Sequence, residues 1–166
     1  MYHYFKHVFM SALLVTAASC ANNGGGEDII DKTDFKSADG VFDIDALEAL
    51  GRVSGAVVSP DGKKVLYGVS YENVEKNKSN NDLYVMNIDG TGVQRITRTA
   101  SSEGNAAWIN GGKQIAFLYP DGDVNQVWVM NADGSDRKVV TDVEKGVHGF
   151  LFSPDEKHIV LVSTLK

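Results

Sequence analysis

The side chains able to do covalent or acid–base chemistry in this 166-residue chain are few and scattered. A serine hydrolase raises its nucleophile on a sharp strand-to-helix turn, written G-x-S-x-G, and that string does not occur here. Its nearest approach is Gly134-Ser135-Asp136. Such chemistry also needs a histidine base oriented by a carboxylate. The histidines are His3, His7, His148 and His158. The first two fall in an N-terminal leader, and the other two lie on or beside expected strands, where a surface or packing role is expected. Asp121, Asp123 and Asn125 alternate as oxygen ligands for a hard cation do. A helix–loop–helix calcium loop would have glycine in place of Gln126 and glutamate in place of Ala132, so a solvated hairpin turn is expected. Glu72, Glu75 and Glu103 are expected in loops, and Trp108 and Trp128 in strand packing. The expectation is a chain with no catalytic residue, no cofactor-binding residue and no metal ligand of its own.

Cys20 is the single cysteine, which excludes an internal disulfide and a cysteine-built metal site. Its setting carries the information. Residues 1–19 begin with Lys6 and two histidines and continue with an apolar run from Val8 to Ala18, broken only by Ser11 and Thr16. A run of about eleven residues falls short of the roughly 20 that span a bilayer as a helix, and the layout is that of a secretory signal peptide. The small residues Ala17-Ala18-Ser19 before Cys20 resemble the lipobox of bacterial lipoproteins, with Ala17 where leucine is usual. That resemblance implies a diacylated Cys20 as the new N-terminus, a membrane anchor, and a periplasmic or outer-membrane place in the cell envelope. The alternative is a plain secreted protein whose cysteine lies there by chance. Residues 20–42, which include Ala21-Asn22-Asn23-Gly24-Gly25-Gly26, are mostly polar and read as a flexible tether.

The formal net charge is −6, and loss of the leader removes Lys6 and no acid, taking it to −7. An acidic chain offers no electrostatic pull toward nucleic acid, so no nucleic-acid partner is expected.

The positioning elements follow from an internal repeat. Asp82-Leu83-Tyr84-Val85-Met86-Asn87-Ile88-Asp89-Gly90-Thr91 matches Gln126-Val127-Trp128-Val129-Met130-Asn131-Ala132-Asp133-Gly134-Ser135 at an offset of 44, and Ile96-Thr97 matches Val140-Thr141 at the same offset. A second motif recurs as Ser59-Pro60-Asp61-Gly62-Lys63, Ile109-Asn110-Gly111-Gly112-Lys113 and Ser153-Pro154-Asp155-Glu156-Lys157, at offsets of 50 and 44. The extra six residues fit a longer loop around Glu72 to Asn81. Asp-Gly pairs mark tight turns, because glycine accepts positive φ. Between the turns lie runs such as Ile115-Ala116-Phe117-Leu118 and Val127-Trp128-Val129-Met130. They are too short for helices and do not alternate apolar with polar, so both faces must be covered. Sheets stacked face to face do this.

The resulting expectation is an all-β chain, an incomplete β-propeller of about two and a half four-stranded blades spanning 43–166. Blade one (53–97) has strands near 53–58, 64–70, 82–87 and 93–97. Blade two (105–141) has strands near 105–109, 114–119, 126–131 and 137–141. Blade three (148–166) has strands near 148–152 and 158–163. A period of about 44 suits a propeller blade. Asp43-Ile44-Asp45-Ala46-Leu47-Glu48-Ala49-Leu50 reads as a short helix, with Asp45 as its cap and Leu47 and Leu50 sharing an apolar side. Blade three lacks outer strands within the sequence, so its 158–163 strand is expected to be an open edge prone to self-association.

Over about residues 43–163, the repeats Ser59-Pro60-Asp61-Gly62-Lys63 with Val65-Leu66-Tyr67, and Leu83-Tyr84-Val85-Met86-Asn87 with Asp89-Gly90 and Ile96-Thr97, are similar to the propeller repeat of Tol-type periplasmic proteins. A similar repeat builds the N-terminal propeller of the prolyl oligopeptidase family. Within it, the short helix, Gly51-Arg52-Val53-Ser54 and the first repeat look most like bacterial secreted dipeptidyl peptidases of the acylaminoacyl-peptidase type. That resemblance implies a seven- or eight-bladed propeller that filters peptide substrates by size above an α/β-hydrolase domain, and the hydrolase half is missing from these residues. Such peptidases grip a substrate's free amine with propeller glutamates, but no motif carries that role onto Glu72, Glu75 or Glu103. The competing expectation is a stand-alone lipoprotein using Tol-like repeats as a protein-binding module.

Overall fold

A computed structural model describes residues 29–35 and 40–164. The Leu66, Ile115 and Val127 side chains are fully buried, and the order of the strands explains why. Blade one is a four-stranded antiparallel meander of β1 (Arg52–Val58), β2 (Lys64–Asn73), β3 (Lys78–Asn87) and β4 (Gln94–Arg95). Blade two repeats it with β5 (Gly104–Ile109), β6 (Gln114–Asp121), β7 (Val124–Asn131) and β8 (Lys138–Val139). Blade three contributes the antiparallel pair β9 (Gly149–Phe152) and β10 (Ile159–Val162).

Alternation across the strands of blade two feeds two cores. Ile115, Phe117 and Met130 meet Leu66, Leu83 and Val85 of blade one. Their neighbours Ala116, Leu118, Val127 and Val129 face the other way, onto Val147 and Phe150 at blade three. A strand packed on both faces has no polar face to show, which is why its sequence reads as an unbroken apolar run. Trp108 and Trp128 pack against the first core, and their indole N–H groups donate to the carbonyls of Val57 and Tyr119 at 3.1 Å each. An indole half in a core needs such a partner.

The turns repeat atom for atom. Ser59 and Ser153 each donate from Oγ to the carboxylate two residues on, at 2.6 Å, while accepting from the backbone of Lys64 and His158. Asp89 and Asp133 accept from the backbone N–H of Thr91 and Ser135 at 2.9 and 3.0 Å. The innermost strands carry matching β-bulges after Ser54 and Gly104, and the next residues, Gly55 and Asn105, take φ of 60° and 49°. Those are the residue types that enter the left-handed region at least strain.

Four expectations are corrected. The helix, α1, spans Ile44–Glu48, and its cap is Asp43, whose carboxylate accepts from the Ala46 N–H at 3.0 Å; Asp45 lies inside the first turn. Leu47 and Leu50 do not form a buried side: they are exposed, and Ala46 is the buried residue of the helix. The stretch from Glu72 to Asn81 is not a long loop. The β2–β3 ladder continues unbroken to Asn73 opposite Lys78, so only residues 74–77 turn and Glu72 lies on a strand. Finally, β4 and β8 are two residues each rather than five. Ile96 and Val140 still donate to the carbonyls of Leu83 and Val127, but Thr97 and Thr141 then turn their hydroxyls in to accept from the N–H of those same residues, at 2.8 and 2.9 Å. A side chain replaces the ladder, and the strand ends there.

A polar junction as the candidate functional site

The residues singled out for chemistry do not converge. Cys20 lies outside the described residues, as do His3 and His7. His148 is exposed and its Nε2 lies 2.9 Å from the Thr164 hydroxyl; His158 is exposed beside the third turn. Asp121 closes β6 and Asp123 sits in the two-residue turn with Gly122, all exposed. Glu72 pairs with Arg52 of the adjacent strand, and Glu75 is exposed in the β2–β3 turn. These two acids and Glu48 border a shallow open hollow with Thr33 and Asn73.

Glu103 is different. It was expected in a loop, and it does precede β5, but its side chain is 1% exposed where blade one hands the chain to blade two. The backbone sets its position: its N–H donates to the Asn81 carbonyl at 2.9 Å and its own carbonyl accepts from the Asn81 amide at 2.6 Å. Its carboxyl meets the Thr97 hydroxyl at 2.7 Å, the Thr99 hydroxyl at 2.8 Å and the Arg137 guanidinium at 3.1 Å. Arg137 in turn lies over the rings of Phe117 and Tyr119, 5.1 and 5.0 Å from their centroids. Burial pushes the Glu103 carboxyl above its ordinary range, against the pull of the two hydroxyls and Arg137.

A second buried acid, Asp82, is 1% exposed on β3. It accepts from Asn80 at 3.2 Å, from the Thr99 N–H at 3.3 Å and from Arg95 at 2.7 Å. Burial raises its carboxyl too, with Arg95 opposing. Arg95 reaches outward to Asp31, which Arg98 also holds at 2.5 Å, and to the carbonyl of the buried Ile30 at 3.3 Å. Hydrogen bonds from both arginines hold the Asp31 carboxyl down at about 2. Part of the stretch read as tether is therefore strapped onto the outer strand of blade one.

None of Asp31, Asp82, Arg95, Thr99 or Arg137 was singled out by sequence reasoning. The available signal was departure from the repeat: 44 residues on, Glu103 becomes Val147, Asp82 becomes Gln126 and Arg95 becomes Val139. The backbone does not change with the side chain, since Val147 N–H donates to the Asn125 carbonyl at 2.7 Å just as Glu103 does to Asn81.

No family model matches the chain. It is 46% identical over 117 residues to a Porphyromonas gingivalis protein named dipeptidyl-peptidase 5, a match covering 70% of this chain and 17% of that one. The fold is similar to that of the Pyrococcus horikoshii acylaminoacyl peptidase, with a TM-score of 0.57 at 19% identity over 70% of this chain and 18% of the other. It is also similar to a TolB-like protein from Agrobacterium tumefaciens, with a TM-score of 0.55 at 26% identity, covering 69% of this chain and 39% of that one. The chain spans about a sixth of the length of the curated relative it matches. With its stacked meanders and this likeness, the chain has a β-propeller fold and is similar to the N-terminal propeller portion of peptidases of the prolyl oligopeptidase family.

Proposed function

We propose that this chain is the substrate-gating propeller portion of a secreted prolyl-oligopeptidase-type dipeptidyl peptidase, acting on peptides together with a hydrolase domain and held at the cell envelope through a lipid on Cys20. The observation that carries the gating reading is that both ends of the stack present unfinished faces. Blade one pairs Tyr67 with Tyr84 across its central strands, rings 5.7 Å apart. Blade two pairs Phe117 with Trp128 at the matching positions, and packs that face on blade one. Blade one thus presents the same kind of face, turned away from blade two. On blade three, Leu151, Val160 and Val162 remain 73%, 63% and 56% exposed. Faces of this kind suit further blades of a ring, and a second copy of the chain could seat on them instead.

The test is to read the coding sequence beyond Lys166 and assay the chain itself. A continuing frame with more 44-residue repeats and a G-x-S-x-G string supports the peptidase. A stop codon at that point in several isolates supports the rival reading, a Tol-like binding module, which the TolB likeness favours. Cleavage of dipeptide substrates by the purified chain, with labelling by a serine-reactive probe, would overturn both. For the anchor, incorporation of a clickable fatty acid that is lost in Cys20→Ser is expected; equal labelling of the two sinks it.

A further inference from the structure

We propose that Glu103 is a protonation latch between blades one and two: it is a neutral carboxylic acid when the junction is closed, and its ionisation loosens the junction.

The junction holds one hydroxyl hydrogen too few for an ionised Glu103. Thr97 Oγ accepts the Leu83 N–H at 2.8 Å, so its own hydrogen is free to go to Glu103 Oε2, 2.7 Å away. Thr99 Oγ lies 2.7 Å from the Ser101 carbonyl and 2.8 Å from Glu103 Oε1. One hydroxyl carries one hydrogen. If Glu103 is ionised, either the Ser101 contact or the Glu103 contact is an acceptor facing an acceptor. A proton on Oε1 resolves both: Glu103 donates to Thr99, and Thr99 donates to Ser101. Arg137, 3.1 Å from Oε1, keeps a lone pair to address in either state.

The charged groups facing this carboxyl come from every element packed on it. Arg137, from the segment before β8, favours the ionised form, but it is shared with two aromatic rings. Asp82 of β3 disfavours that form, and its own charge is balanced by Arg95, which Asp31 also engages. Burial is the largest of these influences, and it favours the neutral form relative to a free carboxyl.

The repeat shows that the fold does not require a carboxyl here. Val147 fills the equivalent position at the next junction, fully buried, on the same backbone hydrogen bond. One junction is filled by an aliphatic side chain; the other carries a group whose charge depends on pH. Glu103 also joins three parts at once: the exit of blade one through Thr97 and Thr99, strand β3 through Asn81, and blade two through Arg137. Ionisation therefore acts on the 97–101 segment that connects the two sheets. The device holds whatever the propeller gates.

The sign follows from linkage. A carboxyl raised in the folded state stabilises fully below its unfolded value of 4.5 and loses that contribution as pH rises through its folded value. The test is a carbon-13 titration of the Glu103 carboxyl by NMR in the unmodified chain, together with urea unfolding of it and of Glu103→Gln across pH 4 to 8. Glutamine can donate to Thr99 and accept from Thr97, but cannot ionise. The expected results are a Glu103 midpoint above 4.5 and, between the unfolded and folded values, an unfolding constant that rises relative to Glu103→Gln by up to about tenfold per pH unit. A midpoint at or below 4.5 overturns the latch, as do parallel stability profiles of the two proteins. If Glu103→Gln does not fold, the titration decides alone.

Discussion

Gly90 and Gly134 occupy the same place in successive repeats, which makes alanine there a matched experiment on blade stacking. Both have positive φ, 85° and 89°, and both donate to the carbonyl three residues back at 2.9 Å. Their surroundings differ. A Cβ on Gly90 meets nothing within 4 Å, whereas a Cβ on Gly134 would lie 2.3 Å from the Ile96 carbonyl oxygen and 3.2 Å from its carbon. Ile96 directly follows the outer strand of blade one and is fixed by its N–H bond to the Leu83 carbonyl at 2.8 Å. Gly90→Ala should therefore cost only left-handed strain, about 1–2 kcal/mol. Gly134→Ala adds overpacking against backbone, typically about 1–3 kcal/mol, for roughly 2–5 kcal/mol in all. Urea unfolding followed by the fluorescence of Trp108 and Trp128, which both pack at this junction, reads the difference. Equal losses in the two variants would refute the claim that the second turn rests on blade one.

Two further perturbations probe the same network. Thr97→Val and Thr141→Val each remove the acceptor of a strand N–H, on the buried residues Leu83 and Val127. Each should lose about 1–3 kcal/mol, Thr97→Val more because it also strands Glu103, and amide exchange at Leu83 and Val127 should accelerate accordingly. Asp31→Ala should free the strap at residues 29–31 and speed limited proteolysis there. In the unaltered chain, the contribution of the Asp31 carboxyl is present above its ordinary value of 3.8 and fades as pH falls toward about 2, opposite in sign to Glu103. Proteolysis of the strap that does not change with Asp31→Ala contradicts the clamp.

What the sequence disclosed and what it concealed divide along physical lines. The stacking was legible because Ile115-Ala116-Phe117-Leu118 lacks a polar phase, and burial of both faces of β6 is what removes it. The turns were legible because Asp-Gly chemistry is local. The β2–β3 extension was hidden because its residues, from Ser70 to Asn73 and Lys78 to Asn81, are mostly polar; they pair through backbone at the tip of a hairpin, where little core is formed. The short outer strands were hidden because a threonine hydroxyl can replace a ladder hydrogen bond without changing the strand-like composition. The cap moved from Asp45 to Asp43 because both residues can cap, and helix start is settled by neighbouring geometry. The polar junction was illegible for another reason: Asp31 meets Arg95 across 64 residues and Glu103 meets Arg137 across 34, and no periodicity announces such pairs. Glu103 was read only as an acid in a loop; the one local sign of its role is that the repeat places Val147 at its position 44 residues on.

Everything rests on blade two being covered on both faces, and nuclear Overhauser contacts in the isotope-labelled chain test that directly. Cross-peaks are expected from Ile115 and Phe117 to Leu66 and Leu83 on one face, and from Ala116 and Val129 to Phe150 on the other. Cross-peaks on one face only, with fast-exchanging solvent contacts on the other, would contradict it.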